Sequence, residues 1–443
     1  MRSFRLTALL AAAAVFLAGC SWYDDSGPGI DLFGKSSRTS SSSRAGTAEV
    51  HDSGTESRVS DLNSISGSGE LASEVPDEST AEIREDDLSL SYSTRYYLDN
   101  MKKQHLKDAA MMLIDGLKKH QEKIYFTGLG LTKDELREAY DLALSTEPDI
   151  GWVSLNYNYY YDVKGRIINC RVDYTLDKAK EDKLLQKLHK QAEDLVSETE
   201  GMDDFDRIVY FHDRLISGCV YDSSNPNAWS AYGCLIDGRA VCEGYSKAFQ
   251  LLCDTAGVPC LIINGVTNDE TETLHMWNKV QMDGEWYNMD LTWDDPEGSK
   301  SSTDIAGEAG LIHYEYFGDT DQAASVEHKE VETLYMKYPP AEATYDNYYI
   351  RMGLWADKNT ENSDDLFYTA AKYFLDRDIR AFQIGCSDWE VYEDLCIYEF
   401  DEGGIFHTLD SLTEQGYRID NTTYNYTEDD ENLVITVIMK KGA

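Results

Sequence analysis

Three residues in the stretch from Gly238 to Pro296 have types and settings that could carry covalent chemistry: Cys242, His275 and Asp290. After Cys242, apolar Tyr245, Ala248, Phe249, Leu252 and Ala256 recur at helical spacing, and Gly257 followed by Pro259 is a stop signal. The spacing therefore predicts a helix that begins at Cys242. Unpaired N–H groups and the positive end of the dipole at such a start favour an anion, and the thiolate is the nucleophilic form of cysteine. Downstream, His275 to Met282 and Glu285 to Trp293 read as strands separated by Asp283-Gly284, a pair suited to a type I′ turn. If Met282 faces Glu285, then His275 faces Thr292 and Trp277 faces Asp290. His275 and Asp290 become diagonal neighbours on one face, about 7–8 Å apart and within reach of a hydrogen bond. Met276, Val280, Met282, Tyr287, Met289, Leu291 and Trp293 are left for an opposite, core-packing face. A cysteine at a helix start, a histidine on a strand and a carboxylate one strand over supply a nucleophile, a base and an orienting group.

These pieces, AVCEGYSKAF around Cys242, HMWNKV at His275 and DGEWYNMDLTWD holding Asp290, carry a resemblance. The run from about Asp203 to Tyr338 resembles the transglutaminase-like core of papain-type cysteine enzymes, in particular its bacterial branch. The resemblance implies an α+β fold with the nucleophile helix packed on an antiparallel sheet. It also implies Cys242, His275 and Asp290 as the catalytic triad. The reaction expected is attack on a peptide or glutamine-type amide carbonyl, followed by hydrolysis or crosslinking, and the context favours hydrolysis. Such a site needs donors for a developing oxyanion, the first being the N–H of Cys242. Relatives take the second from an upstream side chain, for which Tyr221, Trp229 and Tyr232 are the candidates, also as walls of the cleft. The chemistry needs no organic cofactor, and the sequence holds no dedicated calcium loop. The alternative is a non-catalytic cell-surface lipoprotein that binds peptide or glycan in the same cleft.

The rest of the 443-residue chain is long enough for two or three domains around these residues. Its 40 basic and 81 acidic residues give a net charge of −41, which repels a phosphate backbone and excludes nucleic acid as a partner. Arg2 and Arg5 precede an apolar run from Leu6 to Phe16, the pattern of a secretion signal. Leu17-Ala18-Gly19-Cys20 is similar to the lipobox of bacterial lipoproteins, so residues 1–20 are expected to be a lipoprotein signal peptide with Cys20 lipidated. The expected setting is extracellular, on a membrane anchor, with protein or peptide substrates that include cell-wall stem peptides. Residues 21–87, rich in Ser, Gly, Thr and acidic side chains, have the composition of a disordered tether. Seven further cysteines, an odd number without a zinc spacing, are expected to be mostly free thiols.

Two smaller α+β domains are expected to flank a core at residues 201–338: one at 88–200 and one at 339–443, with Pro339-Pro340 as the boundary. The first is expected to hold a helix from Tyr96 to Lys119 and a second helix opened by a Thr132/Glu135 capping box. A tyrosine-rich hairpin and a charged helix from Lys178 follow. Tyrosines 157, 159 and 161 read as strand residues before they read as a sugar-stacking platform. Asp203, Asp204 and Asp206 suit a helix start. His212 reads as packed, and His313 and His328 as ordinary residues without ligand companions. His313 to Phe317 reads as a closing strand. In the last domain a helix at 366–375, strands at 379–384 and 396–400, a helix at 409–415 and a strand at 433–439 are expected.

Overall fold

The computed structural model describes residues 65–72, 85, 88–295 and 310–442. The expected leader, with Cys20, and residues 21–64 of the expected tether lie outside the described residues. The tether was expected to run without structure to residue 87, but Ser66–Leu71 forms a strand, β1. It pairs parallel to a later strand and is exposed along its whole length. No helix among the described residues is long and apolar enough to cross a membrane.

The described residues divide into two compact units. The larger begins with α1 (Tyr92–Asn100), α2 (Gln104–Lys118), β2 (Lys123–Tyr125) and α3 (Lys133–Thr146). It continues with β3 (Val153–Tyr161), β4 (Ile167–Tyr174), α4 (Lys178–Ser197) and α5 (Asp204–Gly218). The single helix expected over 96–119 is two, because Met101 adopts an extended conformation and ends α1. The capping box of α3 forms, with Thr132 and Glu135 each satisfying the other's backbone N–H. β3 and β4 make the expected hairpin within a sheet of order β1-β3-β4-β2. The tyrosine ladder is covered: a Cβ at Gly67 or Gly69 of β1 would come within 2.9 Å of the rings of Tyr157 or Tyr159, so only glycine lets β1 lie there.

The central sheet comprises β7 (Cys260–Thr267), β8 (Leu274–Met282), β9 (Glu285–Met289), β10 (Phe317–Asp319) and β11 (His328–Glu330). Its order is β10-β9-β8-β7-β11, and every pair is antiparallel. α6 (Cys242–Ala256) lies on one face, where Ser246 Oγ donates to the Met276 carbonyl and Asn278 donates to the Ser246 carbonyl. The N-terminal helices lie on the other. Leu261, Ile263 and Trp277 share one hydrophobic core with Tyr97, Leu113, Phe126 and Tyr140. Residues 88–200 and 201–338, expected as separate domains, are therefore built around a common core. α1 also completes the edge of β7 beyond the reach of β11: Ser93 accepts from the Ile262 N–H at 3.1 Å and Tyr97 donates to the Ile262 carbonyl at 2.5 Å.

Both faces of the β8–β9 hairpin are consequently buried, and the expected split into a chemical face and a packing face does not hold. Trp277 packs into the shared core. Lys279, on the same face as His275, is fully buried, its charge met by Asp321 at 2.8 Å and Glu330 at 2.6 Å. The hairpin register is the expected one from Asn278↔Met289 to Met282↔Glu285, across an Asp283-Gly284 turn in which both residues have positive φ. The strand expected to reach Trp293 stops at Met289, so His275 is not opposite Thr292.

The second unit comprises residues 310–315 and 349–442. His313 and Tyr314, expected on the closing strand, belong to it, and the closing strand β10 starts at Phe317. Its sheet has the order β12-β13-β15-β14, with β12 (Trp355–Ala356), β13 (Ala381–Cys386), β14 (Ile419–Asp429) and β15 (Val434–Lys441). The longer helices that accompany it are α7 (Ser363–Leu375), α8 (Trp389–Cys396) and α9 (Ile405–Glu414). The strand expected at 396–400 is instead the helical continuation of α8, whose start is capped by Asp388 accepting from the Val391 N–H. The eight described cysteines are free thiols.

Candidate active site

Cys242 is the first residue of α6. Val241, the preceding residue, offers no side-chain cap, so the anion-favouring end of this helix is left to whatever the thiol meets. The segment before the helix is drawn close by Gly244. A Cβ there would lie 2.3 Å from the Ala228 carbonyl oxygen, which accepts from the Val241 N–H at 3.1 Å. β5 (Val220–Tyr221) pairs parallel with β6 (Arg239–Ala240), directly before the helix.

The three candidate oxyanion or wall residues end in different places. Tyr221 is 40% exposed as a residue, and burial of its phenol first, then the charges of Cys242 and Asp290, push its pKa up. Trp229 has a buried Nε1 that finds no hydrogen-bond partner among the described residues. It lines a small cavity together with Glu243 and Lys247, a buried ion pair of 2.7 Å on the first turns of α6. Tyr232 is packed away, edge-on to Trp152 and beneath Lys187.

His275, near the start of β8, is buried, and its Nε2 lies 2.5 Å from Asp290 Oδ2. The Cys242 side chain also acts on this imidazole, favouring its charged form. Burial alone would lower the His275 pKa. Asp290 first and Cys242 second outweigh it and raise the imidazole to about 10. The ring is held flat against Trp293, with centroids 4.7 Å apart and planes 15° from parallel.

Asp290 owes its place to the run DLTWDD, which turns where a strand was expected. Its Oδ1 accepts from the N–H groups of Thr292 at 2.9 Å and Trp293 at 3.4 Å, replacing the cross-strand partners that would have carried β9 onward. That turn swings Trp293 off the packing face and onto the His275 ring. The other acidic residues of the run are anchors. Asp294 accepts from His212 Nε2 at 3.0 Å and from the Tyr316 N–H at 3.0 Å, and Asp295 accepts from the Tyr245 hydroxyl. His212 is packed as expected, and Asp213 and Asp294 raise its pKa to about 9 against the effect of burial.

The sequence reading missed His328. Its Nε2 lies 2.9 Å from the same Asp290 oxygen that His275 holds, and it is as deeply buried. Burial would raise the Asp290 pKa, but the two imidazoles hold it well below the usual carboxylate range. His275, Asp290 and His328 have the composition of a metal site, with ligand atoms within 4.8 Å of one another. The spacing argues for protons instead of an ion. Tetrahedral coordination at about 2.0–2.1 Å would hold nitrogen and oxygen about 3.3 Å apart, and the His275 and His328 nitrogens lie closer to the Asp290 oxygen than that, at 2.5 Å and 2.9 Å.

Residues 192–291 match the profile of the Transglutaminase-like superfamily. This stretch is a transglutaminase-like domain. It contains Cys242, His275 and Asp290, and His328 lies beyond its end. Human kyphoscoliosis peptidase is 28% identical to the chain over 95 residues, which is 19% of the chain and 14% of that protein. The mouse protein of the same name is 33% identical over 61 residues, 12% of the chain and 9% of its own length. The periplasmic domain of TgpA from Pseudomonas aeruginosa is similar at 16% identity and a TM-score of 0.21, covering 29% of the chain and 55% of that domain. The chain thus spans well under two thirds of each of these relatives.

Proposed function

We propose that the transglutaminase-like domain is a cysteine acyl-transfer enzyme, most directly a peptidase or amidase, with Cys242 as nucleophile, His275 as acid and base, and Asp290 as the group that orients it. The observation that carries this reading is the buried His275 imidazole, bonded to Asp290 at 2.5 Å, with Cys242 at the start of α6 among the groups that favour its charged form. His275 takes the thiol proton and Asp290 stabilises the imidazolium that forms. The thiolate attacks the amide carbonyl carbon. The oxyanion then falls to the N–H groups of the uncapped helix start, with Tyr221 as the proposed side-chain donor. Collapse breaks the C–N bond, and His275 protonates the leaving amine. Water, deprotonated by His275, next attacks the thioester and releases an acid and the thiolate; an amine in place of that water gives a crosslink. The substrates proposed are peptides or proteins outside the cell, wall stem peptides included, met by a chain anchored through a lipid on Cys20.

The test is a thiol-reactive peptide probe, with the labelled residue located by mass spectrometry. Wild type labels at Cys242, Cys242→Ala does not, and His275→Ala labels more slowly by several orders of magnitude. Equal labelling of wild type and Cys242→Ala would overturn the reading. Incubation with a peptide library and separation of shortened from amine-linked products by mass identifies the acceptor. Amine-linked products alone would overturn hydrolysis.

A further inference from the structure

Beyond the three residues of the proposed triad, we infer that His328 is a positioning residue for the reaction: a second imidazole that holds the Asp290 carboxylate in place while remaining neutral itself. The inference rests on the reading above but on different contacts. Asp290 Oδ2 is shared by His275 Nε2 at 2.5 Å and His328 Nε2 at 2.9 Å, and Oδ1 by the N–H groups of Thr292 and Trp293. With four donors on its two oxygens the carboxylate has no free direction in which to pivot, and so neither does the imidazole that depends on it.

His328 is well fixed for this task. It opens β11, the edge strand paired with β7 through His328↔Thr267. Its ring is walled by Trp293 at 4.2 Å, Trp277 at 4.8 Å and Tyr316 at 5.7 Å between centroids. The charge states follow from what faces it. From β8 comes His275, 5.5 Å away between ring centroids, and from the turn after β9 comes Asp290. Tyr316 presents a hydroxyl already committed to Glu327, and β7 presents no titratable group opposite His328. One carboxylate can neutralise one imidazolium. His275 takes that role, and burial together with the neighbouring His275 cation keeps His328 below its ordinary pKa. A neutral His328 that donates through Nε2 has its proton on that nitrogen.

The consequence is a division of labour on one carboxylate oxygen. His275 exchanges protons with the sulfur, and His328 stays fixed so that Asp290 does not follow the charge as it comes and goes. Removing His328 frees one of the two directions that Oδ2 serves, and misplacement of an orienting group by about 1 Å costs on the order of 100-fold in rate.

The experiment uses the full chain and four variants: His328→Ala, His328→Gln, whose amide N–H reaches where Nε2–H stood, His328→Met, which fills space without donating, and Cys242→Ala as control. Alkylation of Cys242 by iodoacetamide is followed from pH 5 to 10. His328→Ala should react about 10- to 100-fold more slowly with a displaced pH profile, and His328→Gln should recover most of the rate and the wild-type profile. A residue that merely fills space would be rescued by Met at least as well as by Gln, so equal rates for His328→Met and His328→Gln overturn the inference. So does a wild-type rate and profile in His328→Ala. A second measurement is independent of the enzyme reading: ¹⁵N shifts of labelled histidines at pH 7 should give a neutral Nε2–H tautomer for His328 beside a doubly protonated His275. A doubly protonated His328 overturns the inference even where Cys242→Ala behaves as the proposed enzyme requires. If Cys242→Ala labels like wild type while these shifts are found, the enzyme reading fails and the role of His328 on Asp290 stands.

Discussion

At His275 two opposing effects meet, and their balance sets a pH dependence. Burial disfavours the imidazolium, whereas Asp290 and Cys242 favour it strongly enough to bring the pKa from 6.5 to about 10. A pKa raised on folding stabilises the native state fully below about pH 6.5, and that contribution is lost as pH rises toward 10. Asp290 is shifted the other way, so its contribution is complete above the ordinary carboxylate range and fades only in strong acid. Asp290→Asn removes the partner that holds the His275 charge, and breaking a buried pair in this way costs about 3–5 kcal/mol. The loss should be greatest near pH 6 and shrink steadily toward pH 10. Urea unfolding of wild type and variant at pH 6, 8 and 9.5 checks this, and a stability difference that stayed constant across that range would refute it. His328 was not legible at this scale because its link to Asp290 crosses 38 positions with no motif between them. At short sequence spacing it has no ligating companion, so it read as an ordinary residue.

Among the elements, those written locally were legible and those decided by side chains from elsewhere were not. The Asp283-Gly284 turn fixes the hairpin register by its positive φ angles, and the apolar spacing after Cys242 fixes α6. The end of β9 was misread because Leu291, Thr292 and Trp293 look like strand residues, while the deciding interaction is the Asp290 carboxylate taking the N–H groups of Thr292 and Trp293. Hydropathy patterns do not distinguish a strand residue from a turn residue satisfied by a side chain. The approach of the Trp229 segment to α6 is likewise a matter of one missing Cβ. Gly244→Ala would place a carbon 2.3 Å from the Ala228 oxygen, too close for either to stay. The expected cost is about 1–3 kcal/mol from overpacking. Cys242 labelling should slow as well, because the displaced segment borders the helix start. A thermal melt and the labelling rate check both, and an unchanged melt with unchanged labelling would show that the loop yields freely.

Across the whole molecule, the site depends on a core that the chain order conceals. Hydropathy and turn signals read along the sequence suggested a boundary near residue 200, since an α+β pattern is complete there before the helix that Asp203 caps begins. What they could not show is that β7 and β8 carry apolar side chains on both faces. Ile262 and Met276 pack with Cys242, whereas Leu261, Ile263 and Trp277 pack among the N-terminal helices. Chain begun at Asp203 would expose those three side chains, at about 1.5–3 kcal/mol each. It would also lose Ser93 and Tyr97 from the edge of β7 at Ile262, leaving an N–H and a carbonyl there to water. The sum is comparable to the whole stability of an ordinary domain, about 5–15 kcal/mol. A chain begun at Asp203 should therefore show no cooperative unfolding transition and no selective labelling of Cys242, while one begun at Ile65 should keep both. The comparison separates two pictures of the molecule. If the residues from 88 to 200 were an appended domain, the shorter chain would unfold cooperatively and label as the longer one does. If they are one half of the layer that supports His275, the proposed triad should disappear with them.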